Sequence, residues 1–191
     1  MFRHKPPGRR NDTNFVILYT NARDENKIPE WIAHHLLLGF DKIIIFDHLS
    51  KIPIKKLLNN VFGNKVEIIR VSGKGNIKIP LMKKAVEISK ILNASWMLYL
   101  DADEFLYLKY ALNVKQMLNR FYFADQLAIN WLMFGTSNHI TQPKGLLTEN
   151  FTRSCKMINH HIKVFVRPNQ VIDTINPHWY NIYDNNRFIY N

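Results

Sequence analysis

The sequence predicts an α/β fold built on a mainly parallel sheet flanked by helices, followed by a less regular C-terminal half. Three observations carry that expectation. Short apolar, β-branched runs alternate with helix-patterned segments up to about residue 105. Those runs are continuously apolar, as strands covered on both faces are. The chain has 191 residues, 47% hydrophobic and 13% aromatic, enough to fold around a core.

The elements follow in order. Phe15–Thr20 (FVILYT) is the first strand. Ile28–Leu38 is helical, with Trp31, His35 and Leu38 on one face, Pro29 in the first turn and Gly39 at the stop. Lys42–Phe46 (KIIIF) is the second strand, Pro53–Phe62 a short helix before Gly63, and Val66–Val71 the third strand. Ser72–Asn76 (SGKGN) is a turn, because it lacks the full Gly-x-x-x-x-Gly-Lys-Ser/Thr phosphate-loop pattern. Pro80–Leu92 is an amphipathic helix and Trp96–Leu100 the fourth strand. Gln126–Phe134, Ile162–Arg167 and Gln170–Ile175 are further strands, and Gly135–Asn150 is a loop.

Residues 1–13 form a basic, polar arm suited to peripheral contact with an anionic surface, and residues 14–191 form one domain. The arm lacks the apolar stretch of a secretory signal, and no apolar run is long enough to span a membrane. Cys155 is the sole cysteine, so no internal disulfide forms. The expected location is the cytoplasm.

The chemistry concentrates at Trp96–Phe105, WMLYLDADEF, where an apolar strand ends in Asp101, Asp103 and Glu104. No lysine or arginine adjoins these acids in sequence, and hard oxygen ligands at this spacing suit Mn²⁺ or Mg²⁺. In open α/β sheets, ligands gather at the carboxyl ends of strands. A phosphorylated donor is therefore expected; the competing reading is a solvated acidic turn. The other strand ends offer Thr20 and Asn21, then Asp47 and His48, then Gly73, Lys74 and Gly75. Together the four ends can line one extended ligand. Asp47 fits either a base or ribose contact or a turn cap. The net charge of +11 fits an anionic partner. Lys163, on a strand, faces solvent or a site, where it would offset charge on a diphosphate leaving group. His178, in Pro177-His178-Trp179, is a packed histidine or a ligand.

The pattern Asn21…Ile28-Pro-Glu30-Trp31…His35…Gly39, Phe46-Asp47-His-Leu-Ser50 and Trp96…Asp101-Ala-Asp103-Glu104-Phe105 resembles GT-A-fold (Rossmann-like) glycosyltransferases of the family-92-like group. Trp131-Leu-Met-Phe134-Gly135-Thr-Ser137, Lys163-Val-Phe-Val-Arg167-Pro168 and Pro177-His178 extend the likeness, which covers most of residues 14–180. The chain is also similar to the glycosyltransferase domains that build chlorovirus capsid glycans. The resemblance implies hexosyl or deoxyhexosyl transfer from a nucleotide-sugar donor, a UDP-sugar, to a glycan or glycoprotein, with a divalent metal. It implies that Asp101 meets ribose or metal, Asp103 chelates, His178 completes the metal shell, Asp47 meets uracil or ribose, and Glu104 positions the loop. His48 replaces the usual Asn, and Ile79-Pro80-Leu81-Met82 lacks the usual Gln. An inverting enzyme would need a base, for which Glu149 and Asp173 are candidates.

Two other classes compete with this reading. A metal-dependent nucleotidyltransferase would want a glycine-rich loop after the first strand, and Thr20–Asp24 (TNARD) has no glycine. A nucleic-acid-binding module would gather its basic residues; here they are spread along the chain without a recognised motif, so no specific nucleic-acid partner is expected.

Overall fold

A computed structural model describes residues 15–190; the basic arm, residues 1–13, lies outside the described residues. Four strands, β1 (Val16–Ala22), β2 (Lys42–His48), β3 (Val66–Val71) and β4 (Trp96–Tyr99), form a parallel block in the order β3-β2-β1-β4. The sheet then continues through β6 (Asn159–Val166), β5 (Gln126–Trp131) and β9 (Phe188–Tyr190). β6 runs antiparallel to both its neighbours, and β9 is parallel to β5. β7 (Val171–Asp173) and β8 (Asn181–Ile182) make a separate antiparallel pair. The expected α/β, mostly parallel, Rossmann-like sheet flanked by helices is therefore present.

Period-two geometry explains the continuous apolar runs. Val16, Leu18, Ile43, Ile45, Trp96 and Leu98 pack on one face, against Trp31 and Ile32 of α1 (Ile28–Leu37). Ile17, Tyr19, Ile44, Phe46, Met97 and Tyr99 pack on the other, against the helix α3 (Lys78–Ile91) through Leu81, Met82 and Ala85. Each fully buried aliphatic side chain stabilises the fold by roughly 1.5–3 kcal/mol. α4 (Val114–Arg120), unforeseen in the sequence, adds Val114 and Leu118 to the first face.

The boundaries differ instructively. The helix α2 (Ile54–Leu58) stops short of Phe62 because Asn59 and Asn60 turn left-handed, at φ 44° and 59°. α3 begins at Lys78 rather than Pro80; proline is tolerated in a first turn, where its missing N–H breaks no helical bond. Gly39 ends α1 region as expected, at φ +90°. β5 stops at Trp131, where its pairing with β6 becomes irregular, instead of running to Phe134. Among the described residues, no helix is long and apolar enough to cross a membrane.

Candidate active site

The parallel block delivers four strand ends to one side, and β4 supplies the acids. Residues 101–104 form a tight turn: the Glu104 N–H donates to the Asp101 carbonyl at 3.1 Å, and the Asp101 N–H donates back to Glu104 Oε2 at 2.8 Å. α1 pins the chain that follows. Trp31 Nε1–H donates to the Glu104 carbonyl at 2.7 Å, and His34 Nε2–H to the Leu106 carbonyl at 2.9 Å. His35 donates from Nδ1 to the Trp31 carbonyl at 2.7 Å and accepts the Leu106 N–H on Nε2 at 3.2 Å. Burial holds that ring neutral, pushing its pKa down to about 3.

The acids do have lysine partners, brought from distant parts of the chain. Asp101 Oδ2 pairs with Lys163 Nζ at 2.8 Å, and Oδ1 pairs with Lys78 Nζ. Lys163 Nζ also lies 3.2 Å from Glu104 Oε2. Burial works against the Asp101 charge, and Lys163 and Lys78 overcome it, holding the carboxyl below its usual range. Burial also opposes the Lys163 ammonium, but Glu104 and Asp101 more than offset this and raise its pKa. Glu104 is pushed up by burial, against Lys163 and with the Asp101 charge adding to the rise. Asp103 is exposed; its charge, after burial, raises the carboxyl of Glu25, a residue the sequence did not single out.

Around this centre the predicted residues take distinct places. Asn21 Oδ1 accepts the Tyr99 hydroxyl at 3.1 Å, tying the ends of β1 and β4. Thr20 is buried, its hydroxyl donating to the Asn21 carbonyl at 3.3 Å, so it supports the strand end from beneath. Lys74 is exposed in the loop after β3, where His48 Nε2–H donates to the Gly73 carbonyl at 3.0 Å. Asp47 takes the turn-cap place, the second of its two expected readings. It is 1% exposed, and its oxygens accept the Ser50 N–H at 3.0 Å, the Ile54 N–H at 3.1 Å and Arg70 Nη1 at 2.7 Å. Both oxygens are thereby committed to the β2–α2 turn.

On the β5–β6 side, Trp131 links the histidines to the acids. The Lys163 ammonium lies over its ring at 5.7 Å from the centroid. His161 stacks on it at 5.2 Å and His178 meets it edge-on at 5.7 Å. His178 Nδ1–H donates to the Ile162 carbonyl at 3.0 Å, which leaves Nε2 as the lone-pair nitrogen of the neutral ring. His178 thus reaches the acids through Trp131 and Lys163. Among the described residues, no three His, Cys, Asp or Glu side chains are grouped as a ready metal cage. Asp101 and Asp103 supply hard carboxylate oxygens, the donor chemistry a divalent cation takes; Asp103 is exposed, and both Asp101 oxygens are paired with lysines that a cation would have to meet.

Glu149 lies exposed on α5 (Leu147–Asn150), and Asp173 pairs with Lys83 of α3 at 2.8 Å. Among the described residues, neither has a hydrogen bond or ion pair to residues 101–104. The Lys83 contact holds Asp173 below the usual carboxylate range, which weakens it as a base. α5 itself is anchored to α1: Glu30 accepts the Leu147 N–H at 2.7 Å and the Thr148 N–H at 2.9 Å, and Lys27 Nζ donates to the Gly145 carbonyl at 2.6 Å.

Sequence reasoning missed Lys78, Glu25 and the linking role of Trp131. Lys78 carries no local signal, since its partner lies 23 residues away.

A family model described as glycosyltransferase family 92 matches residues 16–190. No curated protein matches the chain significantly. Among solved structures, the chain is similar to a protein described as 4-diphosphocytidyl-2C-methyl-D-erythritolsynthase from Anaerococcus prevotii DSM 20548. The identity is 14% and the TM-score 0.42, over 83% of this chain and 72% of that one, too slight a likeness to bear on activity.

Proposed function

The chain belongs to glycosyltransferase family 92, and we propose that it moves a sugar from a UDP-sugar to a glycan or glycoprotein hydroxyl with a divalent cation, Mn²⁺ or Mg²⁺. One observation carries this reading beyond the family: Asp101 ends β4 between two ammonium groups, beside the other parallel strand ends. Asp101 and Asp103 are the residues that would hold the cation. When bound, it would supply Lewis-acid stabilisation of the departing nucleoside diphosphate.

The chain's own residues do the rest. Lys163, fixed by Glu104 and Trp131, sets a positive charge where the diphosphate leaves. Asn21 and Lys74 line the donor side, with Thr20 supporting Asn21. Trp131 forms the wall between donor and acceptor, and Glu149 remains the acceptor-side candidate to take the hydroxyl proton. A panel of UDP-sugars, scored for UDP release with Mn²⁺ and with EDTA, tests the reading. One donor should be turned over with Mn²⁺ and none with EDTA; equal turnover in EDTA would overturn the metal requirement.

A further inference from the structure

The two lysines that neutralise Asp101 differ in freedom. Lys163 is 3% exposed, fastened to Glu104 as well as Asp101, and covered by Trp131. Lys78 is 21% exposed and extends from the first residue of α3, with solvent beside it. The first turn of α3 has no acidic residue. A cation there is disfavoured by the aligned peptide dipoles, so the Asp101 carboxylate carries the attraction that keeps Lys78 in place.

That arrangement sets two cations against each other. Asp101 Oδ1 cannot serve the Lys78 ammonium and a divalent ion with the same lone pairs at full strength. Displaced from Asp101, Lys78 remains beside the N-terminus of α3, where a phosphate is the natural counter-charge. We propose that Lys78 is an exchangeable counter-ion, resting on Asp101 when the donor site is empty and transferring to the diphosphate when cation and nucleotide enter. The proposal rests on the donor-site reading above and adds a consequence that reading lacks. Lys78 should weaken the binding of cation alone while strengthening the binding of nucleotide with cation. The cost of a naked cation in the site is thereby raised, and binding of the pair becomes cooperative.

The test uses two titrations on each protein. Mn²⁺ alone is followed by the electron paramagnetic resonance signal of the free ion, and UDP at saturating Mn²⁺ by calorimetry. Lys78→Met keeps the length and removes the charge. It should bind Mn²⁺ alone roughly tenfold tighter and UDP roughly tenfold more weakly. Lys78→Gln should repeat both shifts, and serves if the methionine variant folds poorly. Opposite signs are the signature, because a merely structural lysine would move both constants together. Unchanged Mn²⁺ affinity, or weakening of both ligands, overturns the exchange while leaving the donor site standing. Absence of Mn²⁺ and UDP binding to the wild-type protein overturns the donor-site reading and the exchange with it.

Discussion

The ends of β2 and β4 flank β1 on either side, and each places an aspartate just where its strand finishes. Their surroundings separate them. Asp47 is 1% exposed and is gripped by two backbone N–H groups and one guanidinium. The Asp101 side chain is 36% exposed and is met by two lysine ammoniums, of which Lys78 is itself partly exposed. Backbone donors cannot leave without unmaking the turn, whereas the Lys78 side chain can swing away. A carboxylate held by backbone is architecture, and one held by side chains is available for chemistry.

The comparison can be broken at its strongest point first. Asp101→Asn should lower sugar transfer about 10³-fold with a melting temperature close to that of the wild type. Turnover within a factor of about ten of wild type would move the chemistry away from β4. Asp47→Ala should do the reverse. It strands the Ser50 and Ile54 N–H groups and Arg70, and should cost about 3 kcal/mol in urea denaturation. Turnover per folded molecule should stay within about threefold. A stable Asp47→Ala protein that no longer binds UDP would restore Asp47 to the donor site.

A smaller effect tests what stands behind Asp101. The unfolded chain protonates His35 near pH 6.5, and the folded chain only near 3. Between those values the unfolded state holds the extra proton, so stability falls as the pH falls, by about 1.4 kcal/mol per unit from this group. Above pH 6.5 the contribution is constant. His35→Gln keeps a donor for the Trp31 carbonyl and an acceptor for the Leu106 N–H without the titration. The wild-type slope between pH 6 and 4 should exceed the variant's by that amount; equal slopes would mean that His35 is not held neutral.

The parallel block was legible in the sequence because its strands are covered on both faces, so Val16–Tyr19 and Ile43–Phe46 print as unbroken apolar runs. The acids were legible because Asp101 and Asp103 directly follow such a run. The short closing strands were not, since Phe188–Tyr190 and Asn181–Ile182 gain strand character only from their partners. Nor were the counter-charges. Lys163 stood out as a candidate, but Lys78 looked like any lysine ahead of a proline, and Asp47, readable as a turn cap, offered no hint that Arg70 would claim it. Pairings across such distances are set by the packed sheet and by no local pattern.

The Glu30 anchor has a consequence in polymer terms. The stretch from Leu132 to Ile158 is one long excursion between β5 and β6, and α1 divides it by holding Gly145, Leu147 and Thr148. Closure entropy grows only logarithmically with loop length, at about 0.6 kcal/mol per doubling. Residues 133–139 are tied back to residues 150–155, so the arc 140–143 is the part free to gain residues at small expense, while a single deletion between Gly145 and Thr148 pulls the two N–H groups off Glu30. Length variation in this excursion is thereby confined to one arc, and reshaping that arc leaves β1 to β4 and their charged ends undisturbed.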